Sequence, residues 1–194
     1  MKNYDDMPTV TEAYAHKMLK ITVLVFVGIA ANFLGSVLAR AITLPLYLDS
    51  ILTFAVTAIG GLWAGIACAV LSNVALWVFY RSALPFIFCH VLTAVVAHYT
   101  FCHYKKKLTV DAFLWAGLWS AITNAISGNI IISFFIRSAT SPNVDNSVQG
   151  IFIAVPNLTF AVYFSGFLTN LTDKIISAVL SFGAYKAVKR ICLK

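Results

Sequence analysis

The chain has 194 residues, of which 60% are hydrophobic and 11% are charged, and its formal net charge is +7. A soluble domain is nearer half apolar and a quarter charged, so this composition excludes a soluble enzyme or a soluble binding domain. It predicts a single integral membrane domain with about six crossings of roughly 20 residues each.

The positive charge is grouped, and the grouping indicates topology. Ten of the fourteen Lys and Arg residues fall into three groups: Lys2, Lys17 and Lys20; Lys105, Lys106 and Lys107; and Lys186, Lys189, Arg190 and Lys194. Cationic segments stay on the cytoplasmic side of a membrane protein, and an even number of predicted crossings separates the groups. We therefore predict cytoplasmic termini and expect no nucleic-acid partner.

The apolar runs predict an all-α bundle within residues 20–190, between a cytoplasmic N-terminal segment (1–19) and a cytoplasmic tail (191–194). In chain order, the predicted crossings cover about 20–39, 49–60, 62–80, 85–104, 110–136 and 170–190. Gly60 and Gly61 separate the second crossing from the third. The connection 40–48 contains Pro45 and is expected to dip back into the membrane.

Two stretches near the end of the chain are not predicted to be crossings. The sequence SATSPNVDNSVQG (138–150) is rich in Ser and Asn and is expected to form a loop outside the membrane. The apolar stretch 150–168 contains Pro156. We expect it to pack at the outer face or to re-enter the membrane in part.

Two carboxylates lie inside apolar stretches, where a charge is costly unless it is paired or faces a water-filled cavity. Asp49 is expected to cap the N-terminus of the second crossing, and Arg40, nine residues earlier, is a possible ion partner. Asp173 and Lys174 are neighbours and point about 100° apart on a helix. Either one of them faces a cavity while the other reaches the headgroups, or the residues form a structural ion pair within the membrane.

Amide and aromatic side chains accompany these carboxylates. Asparagines in hydrocarbon need partners from neighbouring helices or from a ligand, and the aromatic residues form either an interfacial belt or a wall on which a planar molecule stacks. The predicted ligand-binding residues are Arg40, Tyr47, Asp49, Asn73, Trp77, Asn124, Asn129, Tyr163, Asn170, Asp173 and Lys174.

Other patterns carry no catalytic prediction. His90, His98 and His103 share one predicted helix at spacings that do not form a compact metal set, so a packed or interfacial role is expected, with haem ligation by one of them as the alternative. The sequence contains no phosphate-binding loop and no H-E-x-x-H motif. We therefore expect no catalytic residue, no metal and no cofactor, and we expect that ATP hydrolysis, where it is used, occurs in other subunits.

Small residues at four-residue spacing mark the first helix at Ala31, Gly35 and Ala39. Such a stripe lets two helices approach closely. It serves either packing within the chain or docking of a separate membrane subunit.

Taken together, the run LPLYLDSILTF, the glycine-rich turn at 60–65, Asn73 and the final helix opening NLTDK resemble the substrate-binding S components of energy-coupling factor (ECF) transporters. The resemblance covers residues 20–190. It implies a six-helix protein of the bacterial cytoplasmic membrane that captures a vitamin or related planar molecule from outside, under the loops between helices 1 and 2 and between helices 5 and 6.

The same resemblance implies partners, namely a membrane-embedded coupling subunit and two cytoplasmic ATPases. The family's docking face on helix 1 would map onto Ala31, Gly35 and Ala39, with glycine in place of one expected alanine. The ligand stays open among flavin-like, pterin-like, thiamine-like and porphyrin molecules.

Two other functional classes fit the residues. One is a stand-alone secondary transporter with Asp49 or Asp173 as its proton or sodium site. The other is a membrane sensor or assembly module.

Overall fold

In a computed structural model, every regular element among the described residues (10–104, 108–135 and 142–192) is helical. The α-helices are α1 (Val10–Ala41), α2 (Thr53–Phe79), α3 (Ile87–His103), α4 (Val110–Phe135), α5 (Pro142–Ala154) and α6 (Leu158–Cys192), and a 3-10 helix (Arg81–Phe86) joins α2 to α3. The predicted all-α class is therefore confirmed.

Three helical stretches in the described part of the chain are long and apolar enough to span a membrane: Val10–Ala41, Thr53–Phe79 and Arg81–His103. These helices indicate a membrane protein. The number of six crossings and the cytoplasmic location of the termini stay predictions, and Lys2, Lys105–Lys107 and Lys194 lie outside the described residues.

α2 consists of two arms, 53–60 and 62–79, which run in opposite directions. Gly61 separates them with a φ of +79°, a left-handed conformation that glycine adopts without steric cost. Contacts with α1 define the directions. Gly35 approaches Ile51, just before the first arm, and Gly28 and Ile21 approach Val56 and Gly60 within that arm, whereas Asn32 contacts Ser72 in the second arm and Arg40 contacts Tyr80 at its end. The break predicted at Gly60–Gly61 is confirmed.

Several predicted boundaries are wrong. α1 begins at Val10 instead of residue 20, and α2 begins at Thr53 instead of residue 49. The stretch predicted as a loop contains α5, although residues 138–141 of it lie outside the described part. Residues 158–168 do not form a separate re-entrant segment, because they are the first turns of the unbroken helix α6. Pro156 lies between α5 and α6, where its missing N–H breaks no helical hydrogen bond.

The stripe of small residues on α1 packs inside the chain. Ala39 is fully buried and Gly35 is buried, while Ala31 is half-buried. A Cβ atom on Gly35 would collide with the Ile51 side chain and lie 2.6 Å from the Leu48 carbonyl oxygen. Gly35 and Ala39 therefore pack within the chain, where α1 contacts the connection 42–52, and docking of a partner subunit on this stripe stays a prediction.

α4 and α6 pack closely, and this contact fixes the position of Lys174. The ring of Phe113 on α4 lies 5.5 Å, centroid to centroid, from the ring of Tyr185 on α6. One turn further along α4, a Cβ atom on Gly117 would lie only 2.8 Å from the carbonyl oxygen of Lys174. The glycine therefore permits a close approach of the two backbones at the level of the buried lysine.

Candidate functional site

A cavity of about 640 Å³ lies between the helices. Its volume is within the range of pockets that bind small molecules. One face of α6 lines the cavity through residues at four-residue spacing, over about 24 Å at 1.5 Å per residue: Leu158, Val162, Gly166, Asn170 and Lys174. The cavity therefore extends from the first turn of α6 to a charged cluster near its middle.

Most of the predicted binding residues line this cavity: Arg40, Tyr47, Asp49, Asn73, Asn124, Asn129, Asn170 and Lys174. The other three lie elsewhere. Trp77 packs under the Arg81 guanidinium, whose carbon is 5.0 Å from the ring centroid. Tyr163 is 43% exposed and its hydroxyl is 3.1 Å from the Ser133 hydroxyl. Asp173 is fully buried beside the cavity.

The floor of the cavity is a cluster of five residues, Asp49, Ser50, His90, Asp173 and Lys174, which we call the floor cluster. Lys174 is at its centre and is 1% exposed. Its ammonium donates to Asp173 Oδ2 at 2.8 Å, to Ser50 Oγ at 2.8 Å and to Asp49 Oδ1 at 3.1 Å. An ammonium has three protons, so these three oxygens use its full donor capacity.

Asp173 joins the floor cluster to the connection between α1 and α2. Its Oδ1 accepts the backbone N–H groups of Tyr47 at 3.0 Å and Leu48 at 2.6 Å. Leu48 has a φ of +46°, in the left-handed region that is unfavourable for a branched side chain. The carboxylate therefore stabilises a turn that the backbone alone would disfavour, and it holds Asp49 in place against α6.

Asp49 is the most exposed charged member of the cluster. Its side chain is 15% exposed, against 4% for His90, 2% for Lys174 and none for Asp173. His90 Nε2 lies 2.8 Å from Asp49 Oδ2. Burial raises the pKa of the Asp49 carboxyl, but the neighbouring His90 ring and Lys174 ammonium outweigh burial and hold that pKa well below its usual range.

The geometry corrects three predictions about these charges. Asp49 does not cap α2, because Leu52 occupies the N-cap position and no side chain caps the helix. Lys174 does not reach toward headgroups; its long side chain bends toward the carboxylate of Asp173, so sequence neighbours pair directly. The guanidinium carbon of Arg40 lies 4.2 Å from the centroid of the Tyr80 ring. The ion partners of Asp49 are Lys174 and His90 instead.

Three residues of the cavity wall carry buried polar atoms without a hydrogen-bond partner among the described residues: Asn73 Oδ1, His90 Nδ1 and Asn124 Oδ1. The orientation of Asn124 follows from its neighbours. The Thr93 hydroxyl donates to the Cys89 carbonyl at 3.1 Å, so it must accept from Asn124 Nδ2 at 2.8 Å. The Asn124 oxygen is then the spare group, and a spare oxygen is an acceptor.

His90 is the main site residue that the sequence did not identify. A single histidine in the apolar run FIFCHVL has no spacing pattern that distinguishes an ion partner from a packed ring. Ser50, which accepts from Lys174, was also not predicted. The same is true of several wall residues, among them Ser36, Ser82, Phe86, Cys89 and Gln149. Among the residues that the structure describes, no three His, Cys, Asp or Glu side chains are arranged to hold a metal ion.

No family model, no curated protein and no solved structure matches this chain. The functional interpretation below therefore depends on the geometry of the cavity and its floor cluster.

Proposed function

We propose that the protein captures a small polar molecule in this cavity, as the membrane-embedded binding subunit of an ATP-driven ECF-type importer. The observation that carries the proposal is the floor cluster at the end of the cavity, in a chain with three described helices apolar enough to span a bilayer. Buried charged groups in a membrane protein are costly and are typical of substrate or ion sites. In bacteria such a subunit would reside in the cytoplasmic membrane.

The members of the floor cluster are held in fixed positions, which favours ligand binding. Hydrogen bonds from α6, the connection 42–52 and α3 lock its members together before any ligand arrives. Preorganised polar groups bind a ligand with little loss of conformational freedom. The sequence contains no phosphate-binding loop for ATP, so the proposal assigns ATP hydrolysis to partner ATPases and coupling to a membrane subunit.

Filling the cavity tests the proposal directly. Gly128 lines the cavity, and a Cβ atom there would meet only the Phe86 ring, at 3.9 Å. Gly128→Phe should therefore fold and occupy the space of a ligand. Gly183→Phe is the matched control, because Gly183 on α6 is exposed and has no atom within 4 Å of its Cβ position.

The measurement is native mass spectrometry of the proteins purified from their native membrane. We expect a small molecule bound to the wild type and to Gly183→Phe, and its loss from Gly128→Phe with helical content unchanged. Retention of the same molecule by Gly128→Phe would show that it binds elsewhere. Co-purification of two ATPases with the wild type tests the importer part of the proposal separately.

A proton-coupled secondary transporter is the second candidate, and the pair of Asp49 and His90 favours it. The two side chains, a carboxylate and an imidazole, are 2.8 Å apart, and both line the cavity. Proteoliposomes that contain this chain alone distinguish the two functions. Uptake of the co-purified molecule driven by a pH gradient would favour the secondary transporter, whereas binding without uptake would favour the importer subunit.

A further inference from the structure

The charged donors of the floor cluster are used within the cluster, whereas part of its acceptor capacity is not. Lys174 is its only permanently cationic member, and all three of its protons already go to Asp49, Ser50 and Asp173. His90 directs Nε2 at Asp49 Oδ2, and its Nδ1 has no hydrogen-bond partner among the described residues. The protons of Lys174 and the Nε2 atom of His90 are therefore directed within the cluster, and the Ser50 hydroxyl, which accepts from Lys174, keeps one O–H donor.

Acceptor capacity remains at the same place. A carboxylate can accept about four hydrogen bonds, and Asp49 receives one from Lys174 and one from His90. Asp49 is also the charged member of the cluster with the largest exposed fraction, 15%. The unpaired oxygens of Asn73 and Asn124 add partial negative charge in the wall of the same cavity.

The formal charges agree with the hydrogen bonds. Two carboxylates, Asp49 and Asp173, face one ammonium, Lys174, and the formal charges of these three groups sum to one negative charge. The other cation in the wall, Arg40, is in the last turn of α1 and stacks on Tyr80. An unbalanced charge in an apolar environment is unfavourable until an opposite charge joins it.

We infer that the ligand presents a cationic or strongly polarised group with two or more N–H donors, such as an amidinium or an amino-substituted heterocycle, to Asp49 at the floor of the cavity. This inference depends on the proposed function, because it names the class of molecule that the same cavity binds. A carboxylate or phosphate group would meet the negative Asp49 carboxylate and the unpaired oxygens of Asn73 and Asn124, so such a group is unfavourable at this end of the ligand.

Benzamidinium and benzoate test the inference, because the two are planar and nearly equal in shape while one offers N–H donors and the other offers acceptors. Their dissociation constants are measured by calorimetry on the full chain in lipid nanodiscs. We expect benzamidinium to bind about tenfold or more tightly than benzoate, the size of one charge-assisted hydrogen bond. This comparison uses the wild type and needs no variant to fold.

Variants then show which residues cause the preference for benzamidinium over benzoate. Asp49→Asn should remove it, while Asp111→Asn, an exposed residue in the first turn of α4, should retain it. Asn73→Leu provides a second test at the wall, since it removes an oxygen that has no partner to lose. This variant should reduce the preference for benzamidinium while the protein stays as stable as the wild type.

The outcomes separate the inference from the proposed function. Equal binding of the two probes, or tighter binding of benzoate, with both lost in Gly128→Phe, would overturn the inference and leave the cavity a ligand site. Binding of neither probe, or binding that Gly128→Phe leaves unchanged, would overturn both. A benzamidinium preference that persists in Asp49→Asn would overturn the assignment to the floor cluster.

Discussion

Replacing Asp173 tests whether the floor cluster stabilises the fold as the distances indicate. This carboxylate is fully buried and serves three groups, namely the N–H of Tyr47, the N–H of Leu48 and the ammonium of Lys174. Asp173→Ala removes the acceptor that these three groups share. Asp173→Asn keeps an amide oxygen that can still accept the two backbone N–H groups, and it removes the charge and the oxygen that accepts from Lys174.

The expected magnitudes differ accordingly. Removing one partner of a buried ion pair costs about 3–5 kcal/mol, because the other charge stays buried. We expect Asp173→Ala to lower the free energy of unfolding by about that amount, although Lys174 retains Asp49 and Ser50 as partners. Asp173→Asn should cost less than Asp173→Ala by about 1–3 kcal/mol, the cost of leaving a buried donor unpaired.

The assay is denaturant unfolding of the purified protein in detergent, followed by circular dichroism. Asp111→Ala is the control, since Asp111 is exposed and surface substitutions usually change stability by less than about 0.5 kcal/mol. The reasoning fails if Asp173→Ala unfolds within the error of this control. Equal destabilisation by alanine and asparagine would refute the role assigned to the two backbone hydrogen bonds.

Two further substitutions test the packing around the site by thermal unfolding. Gly117→Ala should lower the melting temperature, because its Cβ would lie 2.8 Å from the Lys174 carbonyl oxygen. The control Gly183→Ala, whose Cβ would have no atom within 4 Å, should leave the melting temperature unchanged or raise it. Equal melting temperatures of the two variants would contradict the close approach of α4 and α6. Asn32→Leu should lower the free energy of unfolding by about 1–3 kcal/mol, because the Leu52 N–H and the hydroxyls of Thr53 and Ser72 lose their hydrogen-bond partner. An unchanged stability would show that water replaces the amide.

The sequence identified the helical class and much of the cavity wall for a physical reason. Asp49, Asn124 and Asn170 are polar residues in apolar runs, and in an apolar environment each needs a partner or a cavity. Such residues are visible without knowledge of the fold. The reversal at Gly61 was also predictable, because a glycine pair between two apolar stretches permits a backbone conformation that other residues rarely adopt.

The pairings within the site were not predictable in the same way. Directions on a helical wheel separate Asp173 from Lys174, but they ignore the length of the lysine side chain, which returns to its neighbour's carboxylate. Arg40, close in sequence, was a possible partner of Asp49, whereas the observed partners are His90 on α3 and Lys174 on α6. These contacts depend on the arrangement of helices, which local patterns do not contain.

The two carboxylates of the floor cluster have different tasks. Asp173 is fully buried and its oxygens are occupied by the connection 42–52 and by Lys174, so it contributes to the position of the site. Asp49 is held by Lys174 and His90 yet stays partly exposed, so it can contribute to recognition. A buried ion network is weak evidence for stability by itself. Here it holds one carboxylate at a fixed position in a cavity, and this is the property that the proposed binding function requires.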